Sequence, residues 1–333
     1  MKIGWVIPTV GIFGAVREML EVSNALIRIG HSVTVYHPGG KAQQWLPSGV
    51  AYGDLAQAVT EPLDVMIGIV DWQPELYEVV TSCRAGVKAI CLMGFSGSAE
   101  MAAGLRKEKP PADKAERVLV DAMDRGLVIL ADSQWQVDWL YANTGYAAGP
   151  PFGGVNLAQF HQAAMKRPRS RLRVLASGDP RERKGSDTVG EALQIAGARM
   201  GRRMETDAYW GKGFTQTELA EFLQDGDLFV DGHRRAGWCN PVAEAMACGT
   251  AVVCTNIGAT QDFAIHEETA LVVPVNDVEA MAQAVERILT DNDLRRRLVR
   301  NGLEQIKKFD YNRVAAVLEG YLTERVAKAA ANG

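Results

Sequence analysis

The sequence has 333 residues, of which 47% are hydrophobic and 23% are charged, and its formal net charge is −4 at pH 7. This length exceeds one typical core and predicts two domains, while the mild acidity gives no electrostatic reason to expect a nucleic-acid partner. No apolar run approaches the length of a membrane span, so the sequence carries no strong membrane signal.

The first half of the chain alternates short apolar runs with amphipathic stretches. Ile3–Ile7 indicates a buried strand, and apolar positions from Val16 to Ile27 keep helical spacing. Further strands are predicted at Ser32–Tyr36, Val65–Val70, Lys88–Leu92 and Leu127–Ala131, with a helix near Glu116–Asp124. This alternation is typical of a parallel sheet covered by helices on both faces.

A second alternating series follows residues 147–154, where three glycines and two prolines interrupt all periodicity and mark a domain junction. Its predicted strands are Arg173–Ser177, Arg203–Ala208, Leu228–Asp231, Ala251–Thr255 and Leu271–Pro274. Its predicted helices are Ser186–Ala198, Gln216–Leu223, Pro241–Ala247, Val278–Leu289, Asp293–Lys308 and one from Tyr311 onward. The sequence therefore predicts two doubly wound α/β units with a ligand cleft between them.

A loop between a strand and a helix, Ser177–Gly185, combines glycines with basic side chains. A turn at Gly178 lets the backbone approach a ligand, while Arg183 and Lys184 can neutralise a diphosphate. Lys184 and Arg183 are therefore candidates for the groups that bind a diphosphate.

The most specific signal is the stretch from Arg235 to Thr250, Arg-Ala-Gly-Trp-Cys-Asn-Pro-Val-Ala-Glu-Ala-Met-Ala-Cys-Gly-Thr. We predict Asn240 as the N-cap of a short helix and Pro241 as its first residue. Glu244 then lies in the first turn or just past it, near free N–H groups that bind anions. A carboxylate there can hold sugar or ribose hydroxyls.

This stretch resembles the signature of retaining glycosyltransferases of family 4, Glu-Gly-Phe-Gly-Leu-Pro-x-x-Glu-Ala-Met-Ala-Cys-Gly. The matching positions are Gly237, Pro241, Glu244, Ala245, Met246, Ala247, Cys248 and Gly249. Ala236 stands where the family has its first glutamate. By this resemblance, the donor-binding residues of the stretch are Gly237, Trp238, Cys239, Asn240, Pro241 and Glu244.

The earlier loop is similar to the family's Gly-Arg-x-x-x-x-Lys-Gly, with matches at Gly178, Lys184 and Gly185. Asp179 replaces the family's arginine. Either Arg181 or Arg183 supplies the missing positive charge, or phosphate binding is weaker here than in relatives.

Two further glycines match positions that lie near the donor phosphates in the family. Gly258, in the loop Asn256–Asp262, corresponds to the family's Gly-Gly-x-x-Glu. Gly14 corresponds to the second member of a Gly-Gly pair, with Phe13 in place of the first. The spacing Gly-x-Gly-x-x-Gly is absent here, so a dinucleotide fingerprint is not predicted.

Candidates for acid–base chemistry are few, since the sequence has only five histidines. The histidine that many relatives carry after the strand Lys88–Leu92 is absent, and Met93 follows that strand instead. Asp71 follows a neighbouring strand at its carboxyl end, where it can bind an acceptor hydroxyl. Trp72 can stack on a sugar ring or pack.

Three basic residues precede the signature, and one of them can contact the donor in place of the lost glutamate: His233, Arg234 and Arg235. We also predict no metal site, because clustered carboxylates are lacking and the five cysteines have no metal-ligand spacing. Buried cysteines of this kind favour a reducing, cytoplasmic location.

The resemblance implies a GT-B fold with two facing Rossmann-like domains. Residues 1–150 would form the acceptor-side domain, 151–310 the nucleotide-sugar domain, and 311–333 a helix that crosses back. The implied enzyme is a metal-independent, retaining, hexosyltransferase-like glycosyltransferase of glycan biosynthesis. Its co-substrate is a nucleoside-diphosphate-sugar, it needs no further cofactor, and its acceptor is a glycan, a lipid-linked molecule or a small molecule.

Two alternatives stay open. The chain can be a nucleotide-sugar epimerase of the same fold, although the residues around Glu244 fit transferases better. It can also be a catalytically weakened homologue that acts as a binding or partner subunit. Ala236, Asp179 and Met93 favour the second alternative, because each departs from the family near the donor.

Overall fold

The computed structural model describes residues 1–69, 73–93, 97–165, 171–200 and 204–332. The polypeptide divides into two compact units. The N-terminal unit comprises residues 1–154 together with 311–333, and the C-terminal unit comprises residues 155–310. Each unit is built around one sheet of parallel strands.

The strands are β1 (Lys2–Val6), β2 (Ser32–Tyr36), β3 (Ala51–Gly53), β4 (Leu63–Gly68), β5 (Ala85–Leu92), β6 (Val128–Ala131), β7 (Arg173–Ala176), β8 (Glu205–Ala208), β9 (Leu228–Asp231), β10 (Ala251–Thr255) and β11 (Leu271–Val273). The α-helices are α1 (Gly14–Arg28), α2 (Leu55–Thr60), α3 (Tyr77–Ser82), α4 (Ala99–Leu105), α5 (Lys114–Asp124), α6 (Gln134–Thr144), α7 (Ser186–Met200), α8 (Gln216–Gln224), α9 (Asn240–Ala247), α10 (Val278–Thr290), α11 (Asn292–Ile306) and α12 (Tyr311–Asn332). None of the helices in the described part of the chain combines the length and the hydrophobicity needed to cross a bilayer.

The N-terminal sheet has the strand order β3-β2-β1-β4-β5-β6. Its strands are apolar on both faces because both faces are covered. On β1, Ile3 and Trp5 belong to a core shared with α1, whereas Val6 belongs to a second core shared with α3, α5 and α6. Parallel strands need long crossovers, and the helices between successive strands supply them.

Helix α12 belongs to the N-terminal unit although it follows the whole C-terminal unit in sequence. Leu318 and Leu322 are fully buried in the core that contains β1 and α1. A hydrogen bond from Arg28 Nε to Asn312 Oδ1, 3.1 Å long, joins the end of α1 to the start of α12. The last helix is therefore part of the N-terminal core.

The C-terminal sheet has the order β11-β10-β9-β7-β8. Every residue of β9 and β10 is buried. Val230 and Val253 face a core built with α7 and α10, while Phe229 and Val252 face a second core built with α8 and α9. The strands that carry the loops of interest thus have helices on both faces.

The predicted strands at Ser32–Tyr36, Leu228–Asp231 and Ala251–Thr255 have these same bounds in the structure. Short elements were missed in the first half, namely β3, α2, α3, α4 and α6. Helix α6 had a readable signal, because Ser133 and Gln136 form a capping box at its start.

Candidate active site

Three loops of the C-terminal unit leave the carboxyl ends of strands β7, β9 and β10. These strands are neighbours and parallel, so their loops lie at one edge of the sheet. Direct contacts join the loops: the Arg234 backbone N–H donates to the Arg183 carbonyl at 2.9 Å, and the Thr255 hydroxyl donates to the His233 carbonyl. The edge is where doubly wound sheets bind ligands.

Two glycines bring the β7 and β9 loops into backbone contact. Gly185 has φ +60°, and a Cβ built on it would lie 1.9 Å from the Gly232 carbonyl oxygen. A Cβ on Gly232 would lie 2.5 Å from the Gly185 carbonyl oxygen. Both positions therefore require glycine, and their contact brings Lys184 next to His233.

A chain of hydrogen bonds connects Asp231, His233 and Lys184. The His233 Nδ1 atom lies 2.8 Å from both carboxylate oxygens of Asp231. The His233 Nε2 atom lies 2.6 Å from the Lys184 Nζ atom. Asp231 and His233 are 3% and 1% exposed, so this chain is shielded from solvent.

The surroundings shift the pKa of both charged ends of this chain. Burial lowers the pKa of Lys184, and Arg183 adds to the lowering, while Asp231 opposes it. For Asp231, burial favours a raised pKa, but His233 and Lys184 outweigh it and the pKa is lowered. With a charged lysine, every contact is satisfied by a carboxylate, a neutral imidazole that carries its hydrogen on Nδ1, and an ammonium.

Asp231, His233 and Cys239 form the one group of potential metal ligands within the described residues, with their donor atoms within 4.8 Å of one another. However, the 2.8 Å distances from His233 Nδ1 to Asp231 are those of a hydrogen bond. Burial also raises the pKa of the Cys239 thiol well above its usual value, and metal binding needs a thiolate. The group therefore fits a hydrogen-bonded chain better than a metal centre.

Arg181 does not supply a free positive charge, in contrast to one of the two predicted options. Its Nε donates to both oxygens of Asp179 at 3.0 Å, and Asp179 is 3% exposed. The Arg181 guanidinium also lies 5.2 Å from the centre of the Trp210 ring. The residue that replaces the family's arginine thus neutralises Arg181.

Arg183 retains a free charge. Its side chain has no ion pair or hydrogen bond with any residue in the described ranges, and it is half-buried. Burial and the nearby Arg181 and Arg235 lower the pKa of Arg183, although a guanidinium stays charged in proteins. Arg183 and Lys184 are therefore the cations of this loop that remain available to an anion.

The two arginines before the signature differ. Arg234 donates from Nε to Asn276 Oδ1 at 2.6 Å and from Nη2 to Asp187 at 2.7 Å. Arg235 is exposed and has no side-chain partner among the residues that the structure describes. Since His233 and Arg234 are engaged, Arg235 is the basic residue free to reach a donor sugar.

Helix α9 begins at Asn240, so the prediction that Asn240 is the N-cap is wrong. Cys239 occupies the cap position, and its thiol lies 3.8 Å from Asp231 Oδ1 and from His233 Nδ1. The helix starts one residue earlier than predicted, and the thiol at its cap position is buried against the hydrogen-bonded chain. Pro241 is the second helical residue, where its missing N–H costs nothing.

The Trp238 ring packs in the core. It is 5% exposed and lies 4.6 Å from the Phe263 ring and 5.3 Å from the Phe309 ring, centre to centre. Gly237 is buried as well. The ring of Trp238 is therefore part of the core of the C-terminal unit, and its contact with a donor stays a prediction.

Glu244 and Gly258 lie in neighbouring elements of the same unit. Glu244 is the fifth residue of α9 and is 4% exposed. Gly258 has φ +78° and precedes a 3-10 helix at Ala259–Asp262. Gly178, with φ +72°, is the corresponding turn after β7, and a Cβ there would lie 2.8 Å from Ala208 Cβ.

A cavity of about 460 Å³ adjoins the hydrogen-bonded chain. Its walls include Gly178, Lys184, Val189, Leu193, Thr206 and Asp231. Asp231 was not singled out from the sequence, where it is the last residue of a strand. A carboxylate two residues before His233 was the available signal.

The remaining candidates belong to the N-terminal unit. Gly14 is the first residue of α1 and is exposed. Asp71 and Trp72 lie outside the described residues. Met93, at the position of the absent histidine, is 8% exposed and belongs to the core.

Known proteins match this chain in the region that contains the site. Residues 205–305 match the family described as glycosyl transferases group 1. The lipopolysaccharide core biosynthesis glycosyltransferase LpsE of Rhizobium meliloti is 36% identical over 91 residues, which are 27% of this chain and 27% of that protein. A phosphatidyl-myo-inositol mannosyltransferase of Mycolicibacterium smegmatis is 36% identical over 75 residues, 22% of this chain and 19% of that protein. The chain thus aligns with 27% or less of the length of these two relatives.

Solved structures are similar over nearly the whole chain. Sucrose-phosphate synthase from Thermosynechococcus elongatus has a TM-score of 0.74 and 18% identity, covering 98% of this chain and 99% of that one. Anabaena HepE in complex with UDP and glucose has a TM-score of 0.70 and 13% identity, covering 97% and 100%. At these identities the likeness shows the fold, which is GT-B with two Rossmann-like domains. The family match and the names of the relatives support a glycosyltransferase.

Proposed function

We propose that this chain is a retaining glycosyltransferase that transfers a sugar from a nucleoside-diphosphate-sugar to an acceptor hydroxyl. The observation that carries the proposal is the cationic edge of the C-terminal sheet. There Lys184 and Arg183 lie between two glycine turns, and no carboxylate of the described residues forms an ion pair with either side chain. Such an arrangement suits the two phosphates of a nucleotide-sugar.

In this proposal the charge that develops on the leaving diphosphate is stabilised by Lys184, Arg183 and the N-terminus of α9. Preorganised positive groups at the position of developing charge are usually the largest contribution to such catalysis. No metal ion is required in this scheme, because these groups supply the positive charge. Apart from the nucleotide-sugar itself, the proposal includes no cofactor.

Glu244 is proposed to bind the ribose hydroxyls of the nucleotide. It follows the N-terminus of α9 by one turn, and that terminus adjoins the Lys184 group through Cys239. A carboxylate accepts two hydroxyl hydrogen bonds, each worth about 1.5–3 kcal/mol. UDP-sugars head the list of donors to test, because HepE has been solved with UDP-glucose.

The alanine at position 236 affects which donor sugar the site can bind. Of the three basic residues that could replace the family's glutamate, His233 bonds Lys184 and Arg234 bonds Asp187. Arg235 is left to contact a hydroxyl. Because the methyl group of Ala236 cannot bond a hydroxyl, we propose a donor that lacks one at this point, a deoxysugar, with contact by Arg235 as the second possibility.

The experiment is to incubate the protein with several nucleotide-sugars and to follow release of the nucleoside diphosphate. We expect slow release from one donor and faster release once a suitable glycan, lipid-linked or small-molecule acceptor is added. Lys184→Met should abolish release. Lys307→Met, which removes an exposed lysine paired with Glu304, is the matched control and should leave the rate unchanged.

A second function is favoured by one specific observation. The Asp179–Arg181 pair cancels a positive charge at the phosphate loop. A weakened homologue that binds nucleotides as a partner subunit would have such a loop. Tight diphosphate binding without release from any donor would favour this second function, whereas turnover excludes it.

A further inference from the structure

With Lys184 as an ammonium, the chain of hydrogen bonds from Asp231 to Lys184 has one consistent set of donors. An ionised carboxylate only accepts, so His233 Nδ1 must carry a hydrogen. The Nε2 atom of a neutral ring then has a lone pair, and the Lys184 ammonium, which only donates, fills it at 2.6 Å. The backbone N–H of His233 also donates to Asp231 Oδ1, at 3.1 Å, which fixes the carboxylate.

From this geometry we propose that Asp231 and His233 are positioning residues, which hold the Lys184 ammonium in place for a diphosphate. The inference rests on the proposed function, because it assigns a partner to the same lysine. Neither Asp231 nor His233 is proposed to touch the substrate, since the Asp231 carboxylate is bonded to His233 Nδ1 and the other ring nitrogen is bonded to Lys184. Their effect reaches the ligand through Lys184.

A lysine side chain has a flexible four-carbon stem, which by itself does not fix the position of its ammonium group. One of its three N–H groups donates to His233 Nε2, and this bond fixes the directions in which the other two N–H groups point. The ring in turn cannot rotate, because Asp231 holds Nδ1 through both oxygens. A carboxylate that orients an imidazole in this way is known to fix both its tautomer and its direction.

The charges around the group explain why this support is needed. Arg183 belongs to the same loop as Lys184 and repels its ammonium. Asp231 supplies the opposing negative charge, and Cys239 contributes a thiol in contact with the carboxylate. The hydrogen-bonded chain therefore keeps a cation beside another cation before any phosphate arrives.

A side-chain NMR measurement tests the direction of the hydrogen bonds. The protein is labelled with ¹⁵N-histidine, and His233→Gln identifies the resonances of His233 among the five histidines. We expect the ligand-free protein at neutral pH to hold His233 with hydrogen on Nδ1 alone. Hydrogen on Nε2 instead would overturn the inference, because Lys184 could then not donate to the ring.

Binding to two matched variants tests the role. His233→Gln keeps an amide oxygen that can accept from Lys184, whereas His233→Leu keeps only the bulk. With the tightest-binding member of a panel of uridine, guanosine, adenosine and thymidine diphosphates, we expect His233→Leu to weaken affinity about tenfold, against about threefold for His233→Gln. The affinity of the parent nucleoside should change less than about twofold in both. Equal losses for nucleoside and diphosphate, or equal losses in the two variants, would overturn the positioning role.

Two Asp→Asn substitutions, one in the hydrogen-bonded chain and one outside it, give a second test. Asp231→Asn should also weaken diphosphate binding about tenfold. Asp225→Asn makes the same change in the same unit, but Asp225 bonds Arg173 at the start of β7 and should have no effect on affinity. If the wild-type protein binds none of the diphosphates, the proposed function fails with the inference. If the wild type binds and Asp231→Asn binds equally well, the inference alone fails.

Discussion

Gly185 and Gly232 are in van der Waals contact through their backbones, and a Cβ on Gly185 would lie 1.9 Å from the Gly232 carbonyl oxygen. Gly185 also has φ +60°, a conformation that favours glycine. Because no side-chain rotation can relieve a clash with backbone, this contact determines the separation of the β7 and β9 loops. The Lys184–His233 hydrogen bond depends on it.

We expect Gly185→Ala to lower the free energy of unfolding by about 2–4 kcal/mol, from backbone strain and overpacking together. Gly190→Ala is the matched control, because Gly190 lies in α7 with open space around its Cα. It should be neutral or stabilise the protein by about 0.4–1 kcal/mol, since alanine favours helix. Chemical denaturation measures both, and equal stabilities of the two variants would contradict the contact.

Glu244→Ala should weaken nucleoside diphosphate binding at least tenfold, because it removes hydrogen bonds between the carboxylate and the ribose worth about 1.5–3 kcal/mol each. Glu244→Gln keeps the shape and one acceptor, so its loss should be smaller. Calorimetry with the nucleoside diphosphate and its 2′,3′-dideoxy analogue measures the effect. An affinity unchanged by Glu244→Ala would refute the assignment, and so would an equal loss for the dideoxy compound.

How far the sequence predicted this site depends on how local each interaction is. Lys184 and Gly185 could be predicted because the motif, the strand before it and the helix after it are adjacent in the chain. The role of Asp231 could not be predicted in full, since its spacing from His233 is a local signal but the lysine at the other end of the hydrogen-bonded chain is not. Its partner Lys184 is distant in sequence, and only the contact of the two loops brings them together.

The same reason explains two side chains whose surroundings could not be predicted. The ring of Trp238 is enclosed by Phe263 and Phe309, which come from later segments of the chain. Arg181 was one of the residues expected to supply a positive charge for phosphate, but it forms an ion pair with the buried Asp179. Fold class follows from periodicity along the chain, whereas the state of a charged side chain follows from tertiary contacts.

Diphosphate affinity should decrease on the alkaline side at a lower pH than an ordinary lysine would require. Burial lowers the pKa of Lys184, so its ammonium loses the proton before the ordinary lysine value of about 10.4 is reached. Affinity is thus full below the lowered pKa and declines as the pH rises through it. In Lys184→Arg the charge persists above pH 12, so any remaining affinity should be flat. A wild-type profile that is also flat up to pH 10 would contradict the prediction.

Removing divalent metal should leave activity unchanged, because Lys184 and Arg183 provide the positive charge that a metal would supply. The test compares the rate of diphosphate release before and after dialysis against EDTA, with elemental analysis of the dialysed protein. Within the described residues, the potential metal ligands are Asp231, His233 and Cys239. Activity that falls in EDTA and returns with zinc or magnesium would assign them a metal.

Ala236→Glu should change which donor is preferred. The resemblance to family 4 implies that a glutamate at this position would contact hydroxyls of the transferred sugar, and the methyl group of Ala236 can make no such bond. Because a site built around a missing hydroxyl discriminates only modestly, we expect the wild-type protein to prefer a deoxyhexose donor by about tenfold to two-hundredfold. Ala236→Glu should shift the preference toward a fully hydroxylated hexose, measured as the ratio of kcat/KM for the two donors. Arg235→Gln tests the second possibility, that Arg235 contacts a donor hydroxyl. It should lower turnover only if the exposed guanidinium takes the place of the glutamate. If the wild type uses a fully hydroxylated donor efficiently, and both substitutions abolish its turnover, then Arg235 makes the contact and the deoxysugar proposal is wrong.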